Sequence, residues 1–232
     1  MTNSVRRLLG KIPLLRSLYG FGLSFRQSLA LGSGKSMGRY LDDLFQTPDP
    51  WNYAEGGETW QRFETALGLL KQAKQNELFE CAFEIGCAEG IFTEKLAPLC
   101  TRLLSADICR SAVERAQNRR AWTNVNFMVW DLRSSPIPEN MQLILLMDVL
   151  ELFFRRRDLR KAKDKLVNAM PRRGFLLLCN SRQIRSFENT LWSKWLIRGG
   201  KRISEFFARD PRLEVIASET SDLCVTTLFR RK

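Results

Sequence analysis

Four acidic residues recur where apolar, strand-like runs end, and their spacing suits a ligand site. Glu84 lies in the run that leads into Gly86, Asp107 ends the next run, and Asp131 and Asp148 follow two later runs. In open α/β sheets, ligands bind in the crevice beyond the carboxyl ends of the strands. Caps and solvated strand ends explain single acids, but four in succession beside a glycine turn favour one shared polar site.

The segment 84–90 predicts a strand, a tight turn and the start of a helix. Gly86, Ala88 and Gly90 keep this turn small, so a ligand can approach its backbone and meet the helix N-terminus. An acid about 20 residues past such a turn, here Asp107, suits hydrogen bonds to ribose hydroxyls. The glycines lack the register of dinucleotide-binding turns, which argues against NAD and FAD. A different adenosine cofactor and a turn that serves packing alone both stay open.

The composition limits the chemistry. The chain has 232 residues, a net charge of +12 and no histidine, so zinc sites with histidine ligands and mechanisms with a histidine base are excluded. Its six cysteines form no C-x-x-C pair, which indicates free buried thiols in a reducing compartment. The positive charge favours contact with a membrane surface, nucleic acid or an anionic substrate.

The hydrophobic pattern predicts the elements that would position the acids. Strand patterns alternate with helical patterns, which indicates an α/β fold with a doubly wound, mostly parallel, seven-stranded sheet and an antiparallel edge. The predicted strands lie at about 80–85, 101–107, 124–130, 141–147, 175–179, 213–217 and 223–228. The predicted helices before and between them lie at about 60–73, 90–97, 110–121 and 156–170, and a long helical segment is predicted between the fifth and sixth strands.

Residues 1–45 form a predicted basic N-terminal extension, and residues 46–232 form the predicted catalytic domain. No acid precedes Asp42, whereas basic residues recur from Arg6 onward. Three interpretations stay open: an amphipathic helix on anionic lipid, an organelle transit segment, and an extension with neither role.

The chain resembles the class I S-adenosylmethionine (SAM) methyltransferases over roughly residues 48–230. The stretch 84–90 is similar to the cofactor loop of that family, Asp107 to its ribose-binding acid, and Asp131-Leu132 to the pair beside adenine. Met147-Asp148 matches the strand end where cofactor and acceptor meet. The resemblance implies a Rossmann-like fold and SAM as cofactor. The implied cofactor-binding residues are Glu84, Gly86, Cys87, Ala88, Gly90, Asp107, Ile108, Asp131, Leu132 and Met147.

Three stretches resemble the narrower NodS-like (nodulation methyltransferase) family: Asp49-Pro50-Trp51, the segment 86–98, and the segment 222–225. That family N-methylates the free amine of a partly deacetylated chitooligosaccharide. The resemblance therefore implies a cytoplasmic N-methyltransferase for an amino sugar of an oligosaccharide.

The acceptor region departs from the NodS pattern. Those enzymes carry an acid and then a pair of tyrosines, whereas this chain keeps Asp148 but has Glu151 and Leu152 in place of the tyrosines. Asp148 and Glu151 are the predicted catalytic residues, because an acceptor amine must lose a proton. A helix N-cap is an equal alternative for Asp148. Trp51 and Tyr53 are predicted to cover the cofactor or acceptor, and packing on the sheet explains them as well.

Other functions remain open at this stage. One is a methyltransferase for another small molecule or a cell-envelope glycan. RNA methylation suits the charge but lacks support, because no Asn-Pro-Pro-Tyr-like stretch follows the fourth strand. A binding module without turnover is the non-enzymatic alternative. The basic N-terminus also predicts peripheral contact with anionic membrane, while the pattern says nothing about oligomeric state.

Overall fold

The computed structural model describes residues 41–51, 53–56, 58–153, 156–182 and 199–232, and residues 1–40 of the predicted extension lie outside them. The helices are α1 (Glu58–Lys74), α2 (Ile91–Leu96), α3 (Arg110–Asn118), α4 (Arg156–Ala169) and α5 (Gly200–Ala208). The strands are β1 (Phe79–Ile85), β2 (Cys100–Asp107), β3 (Val125–Val129), β4 (Leu143–Met147), β5 (Phe175–Ser181), β6 (Leu213–Thr220) and β7 (Cys224–Arg231). Short 3₁₀ helices lie at Tyr53–Glu55, Ala97–Leu99 and Leu150–Leu152.

The strands form one seven-stranded sheet in the order β3-β2-β1-β4-β5-β7-β6. Strands β1 to β5 pair in parallel, and β7 pairs antiparallel with both β5 and β6. The predicted doubly wound sheet with an antiparallel edge is therefore confirmed. The chain builds outward from β1 on one side and from β4 on the other, so these two neighbours mark the switch point where ligands bind in such sheets.

The central strands are apolar on both faces because both faces are covered by helices. Alternate residues of β4 point to opposite sides: Ile144 and Leu146 join one buried cluster, and Leu143 and Leu145 join the other. Helices α4 and α5 complete the first cluster, and α1 and α2 complete the second. The sheet thereby holds its carboxyl edge rigidly between two packed layers.

Several boundaries differ from the predicted ones by two or three residues; the last three strands, for example, end later than predicted, at Ser181, Thr220 and Arg231. Strand β4 begins at Leu143 rather than residue 141, because Asn140 has a positive φ of 61° and Met141 donates its N–H to Ala169 instead of to a strand. Helix α3 ends at Asn118 rather than 121. Within the described ranges, no helix combines the length and the apolar character that crossing a bilayer requires.

Candidate active site

A cavity of about 540 Å³ opens beyond the carboxyl ends of β1, β2 and β4, at the switch point of the sheet. Its volume lies in the range of ordinary small-molecule sites. The structure brings nearly all predicted site residues to this cavity. They are Trp51, Tyr53, Glu84, Gly86, Cys87, Ala88, Asp107, Ile108, Asp131, Leu132, Met147, Asp148 and Glu151.

The turn after β1 depends on backbone conformations that favour glycine. Gly86 has a φ of 84°, and a Cβ placed on it would lie 2.4 Å from Cγ2 of Val149. Ala88 also has a positive φ, 48°, and donates its N–H to Oδ2 of Asp107 at 2.9 Å. The turn therefore holds its shape through Asp107 and leaves its backbone facing the cavity.

Gly90 is the one predicted cofactor residue that does not line the cavity. It precedes the six-residue helix α2 with a φ of 79°, and an added Cβ would lie 3.1 Å from the Cβ of Ala116. The close approach of α2 to α3 accounts for a glycine here. Its role in cofactor binding, which the resemblance implied, stays a prediction.

Asp107 ends β2 with its carboxylate held in one orientation. The residue is 8% exposed, and its two oxygens accept N–H bonds from Ala88 and Cys109, each at 2.9 Å. Burial raises the pKa of Asp107, and the N–H bonds oppose that shift. An ionised carboxylate has about four acceptor positions, so the backbone N–H groups leave room for a hydroxyl group of a ligand.

Glu84 supports the turn after β1 through two buried hydrogen bonds. Its Oε2 accepts hydrogen bonds from Thr93 at 2.6 Å and from Ser105 at 2.8 Å. Burial raises the pKa of Glu84 to about 7, against the opposing effect of these two hydroxyls. Glu84 therefore ties the helix after the turn to β2 as well as bordering the cavity.

The end of the cavity near β2 and β3 has apolar walls and one polar turn. Ile108 and Leu132 border it on either side of the β2 and β3 ends. Asp131 accepts the N–H of Arg133 at 2.9 Å, which folds the backbone after β3 into a tight turn. This end suits a flat, weakly polar ring rather than a charged group.

Asp148 follows β4 with a positive φ of 55° and is fully engaged. Its Oδ2 pairs with the Arg62 guanidinium of α1, and its Oδ1 accepts the N–H and hydroxyl of Ser181 at 2.9 and 3.0 Å. The next short helix is capped by Val149 without a side-chain bond, so the helix-cap alternative for Asp148 is not supported. The carboxylate instead joins α1 and β5 at the cavity wall.

Glu151 is buried next to that pair, at 8% exposure. Its Oε1 has no hydrogen-bond partner within the described part of the chain. Burial raises the pKa of Glu151 well above its usual range, and the charge of Asp148 raises it further, while Arg62 opposes the shift. The site thus contains one carboxylate with partners on both oxygens and one buried carboxyl group with an oxygen that has no partner in the described residues.

The predicted cover is fastened at several points. Trp51 stacks on Tyr53 with ring centroids 5.8 Å apart and meets Phe45 edge-on at 5.0 Å. Asp49 accepts the N–H of Tyr53 at 2.8 Å and donates its own N–H to Glu89 at 3.0 Å. These contacts fasten residues 45–51 and 53–55 along the cavity, where Trp51 remains 42% exposed.

Sequence reasoning missed a number of residues that line this cavity, among them Leu41, Phe45, Arg62 and Ser181. Arg62 lies on a helix whose pattern marks only its apolar face, so nothing in the spacing shows that its side chain is 13% exposed. Leu41 and Phe45 fall in the predicted extension, yet both are buried against Cys109 and Ala112. An apolar pair within a basic segment was the available signal.

The residues present fit an adenosine-bearing cofactor. A backbone turn that an added Cβ would fill, a fixed carboxylate and an apolar slot lie along one cavity. Asp107 would hold the ribose hydroxyls, Ile108 and Leu132 the base, and the turn at Gly86 the amino-acid part. The polar group around Asp148 would face the reacting end.

Comparison with known proteins shows which family the chain matches. The family model of Nodulation protein S (NodS) matches residues 36–191. Nodulation protein S of Bradyrhizobium diazoefficiens is 33% identical over 111 residues, covering 47% of this chain and 52% of the relative. That of Rhizobium tropici is 27% identical over 188 residues, covering 78% and 75%. The chain therefore spans about half the length of the first of these relatives.

Solved structures match the whole fold. The N-methyltransferase NodS from Bradyrhizobium japonicum WM9, in complex with S-adenosyl-L-homocysteine (SAH), superposes with a TM-score of 0.70 at 24% identity, covering 83% of this chain and 97% of that one. The magnesium protoporphyrin IX methyltransferase from Synechocystis PCC 6803 with bound SAM gives 0.63 at 16% identity, covering 84% and 97%. Both likenesses concern the fold.

Proposed function

The chain belongs to the NodS family, and from this premise we propose that it is a SAM-dependent N-methyltransferase for the free amine of an amino sugar in a chitooligosaccharide. The observation that carries the proposal is a single cavity with the fixed Asp107 carboxylate at one end and the Asp148–Glu151 pair at the other. One end suits a nucleoside and the other suits an amine.

The chain's own contribution is mainly positioning. Bound SAM supplies a methyl group on a sulfonium, which is open to direct displacement by a nucleophile. Asp107 and the turn at Gly86 orient the cofactor, and the Arg62–Asp148–Ser181 network fixes the wall where the acceptor enters. Alignment of two reactants in a site from which water is excluded accounts for much of the rate gain in such displacements.

Trp51 and Tyr53 are the proposed acceptor contacts. Their rings stack at the cavity mouth, and the exposed face of Trp51 offers an apolar platform. Sugar rings pack well on such faces. This platform takes over from the tyrosines that are absent after Asp148, where the chain has Glu151 and Leu152.

Mass spectrometry of chitooligosaccharides after incubation with SAM and the full chain tests this function. We expect a mass gain of one methyl group on an oligosaccharide with a free terminal amine and no gain on the fully acetylated control. Gain on both samples would contradict N-methylation. No gain on either sample would contradict the proposed acceptor.

Peripheral contact with anionic membrane is the second part of the proposal. Its support is the net charge of +12 and the exposed basic residues of α4, which include Arg156, Arg157, Arg160 and Lys161. We expect the full chain to co-sediment with vesicles that contain phosphatidylglycerol and not with pure phosphatidylcholine vesicles, and to be released by salt. Equal sedimentation with both would contradict an electrostatic contact.

A further inference from the structure

The acceptor end of the cavity contains two carboxyl groups that differ in their hydrogen-bond and ion-pair partners. Asp148 gives both oxygens to partners: one pairs with the largely buried Arg62 guanidinium, and the other accepts from the N–H and hydroxyl of Ser181. Glu151 is only 8% exposed, yet one of its carboxyl oxygens has no hydrogen-bond partner in the described residues. An unpartnered buried oxygen costs stability, which calls for a reason in the site's chemistry.

The titratable and charged groups around Glu151 do not fix its protonation state. Arg62 of α1 faces it but is paired with Asp148, and Tyr53 lies on the cover segment. Cys179 lies on β5, and Arg133 donates to the carbonyl of Leu152 at 2.8 Å. Helix α5 also contacts the short helix Leu150–Leu152, and the buried residues of α5 carry no charge. A cation brought into the cavity would therefore be a major new charge near Glu151.

The proposed function brings such a cation. SAM carries a positive sulfonium, and its product SAH has a neutral thioether at the same place. Otherwise the two molecules carry the same ionisable groups. Because an opposite charge nearby favours the ionised form of a carboxyl group, only the sulfonium form would ionise Glu151 through its sulfur centre.

Resting on the proposed function, we propose that Glu151 follows the charge of the cofactor: it releases its proton when the sulfonium form binds and takes up a proton from the methylated amine once that charge is gone. The nitrogen lone pair forms the C–N bond, and the electrons of the C–S bond remain on sulfur. The nitrogen then carries the positive charge, and one N–H proton moves to the Glu151 carboxylate. The proton released to solvent at cofactor binding balances the reaction.

This cycle gives Glu151 and Asp148 separate roles. Asp148 positions the wall through Arg62 and Ser181, whereas Glu151 exchanges the proton. Burial is the largest cause that raises the pKa of Glu151, and a raised pKa is the direction that this cycle requires. The same coupling favours SAM over SAH, which assists product release.

Calorimetry of SAM and SAH binding in phosphate and in Tris tests the proposal, because the two buffers differ in ionisation enthalpy. We expect SAM to release up to about one proton more per site than SAH near neutral pH. The ratio of SAM to SAH affinity should rise with pH by up to about tenfold per unit while Glu151 titrates. Glu151→Gln should remove this difference and still bind both, while Glu139→Gln, at an exposed position, should keep it.

Equal proton counts for SAM and SAH in the unmodified chain would overturn the role of Glu151 and leave the proposed function standing. A proton difference that persists in Glu151→Gln would overturn it as well. Failure of the unmodified chain to bind either molecule would overturn the proposed function together with this inference. The measurement on the unmodified chain does not depend on how the variant folds.

Discussion

Replacing Gly86 by alanine is expected to cost about 2–5 kcal/mol of folding free energy and to abolish cofactor binding. A left-handed φ at a residue with a side chain costs roughly 1–2 kcal/mol, and overpacking costs typically 1–3 kcal/mol. Both apply here, since Gly86 has a φ of 84° and the new Cβ would lie 2.4 Å from Cγ2 of Val149. Val149 is β-branched, so its χ1 angle has few alternative positions in which to avoid the new Cβ.

Chemical denaturation and SAH calorimetry on the variant check this result, with Gly68→Ala as the matched control. Gly68 lies within α1, and nothing lies within 4 Å of an added Cβ. Because alanine is the better helix former, Gly68→Ala should stabilise the chain by about 0.5–1 kcal/mol. If Gly86→Ala retained the stability and SAH affinity of the unmodified chain, the tight turn would not be what shapes the site.

Replacing Asp107 by alanine is expected to weaken SAM binding by about 1–3 kcal/mol, which is roughly 5- to 150-fold in the dissociation constant. The ribose hydroxyls would lose their acceptor in a site where Asp107 is 8% exposed. The N–H groups of Ala88 and Cys109 would also lose their partner, so the turn would loosen. We therefore expect the melting temperature to fall with the affinity.

Calorimetry with SAM and thermal unfolding, each compared with Asp222→Ala, separate these effects. The Asp222 side chain is fully exposed, with a relative accessibility of 105%, so its removal should change neither quantity. Unchanged SAM affinity in Asp107→Ala would contradict the assignment of Asp107 to the ribose. Lower stability with unchanged affinity would leave Asp107 as a purely structural residue.

The sequence was sufficient to predict the architecture because the apolar runs are long and regular. A run such as Leu143–Met147, buried on both faces, has few alternatives to a central parallel strand. Gly86 and Asp107 were also predictable, since a tight turn and a strand-end acid leave local signals in residue type and spacing. The resemblance to the NodS family then suggested roles for these positions.

The partners of Asp148 could not be predicted, because they come from parts of the chain 86 and 33 residues away. The sequence pattern indicates a surface residue of an amphipathic helix at Arg62. In the structure, the packing of α1 on the sheet brings this residue to the cavity. Gly90 shows the opposite limit: its type suggested binding, while its neighbour Ala116 accounts for it by packing. Local sequence patterns predict the backbone conformation of the site, whereas tertiary packing determines which charged side chains meet there.

A crystal structure of the full chain with SAH tests the central claim most directly, because that claim places the cofactor in one cavity with fixed contacts. We expect the ribose hydroxyls within hydrogen-bond distance of the Asp107 carboxylate and the adenine between Ile108 and Leu132. The thioether sulfur should face the wall formed by Met147, Asp148 and Glu151. SAH bound elsewhere, or in this cavity without a ribose contact to Asp107, would contradict the account.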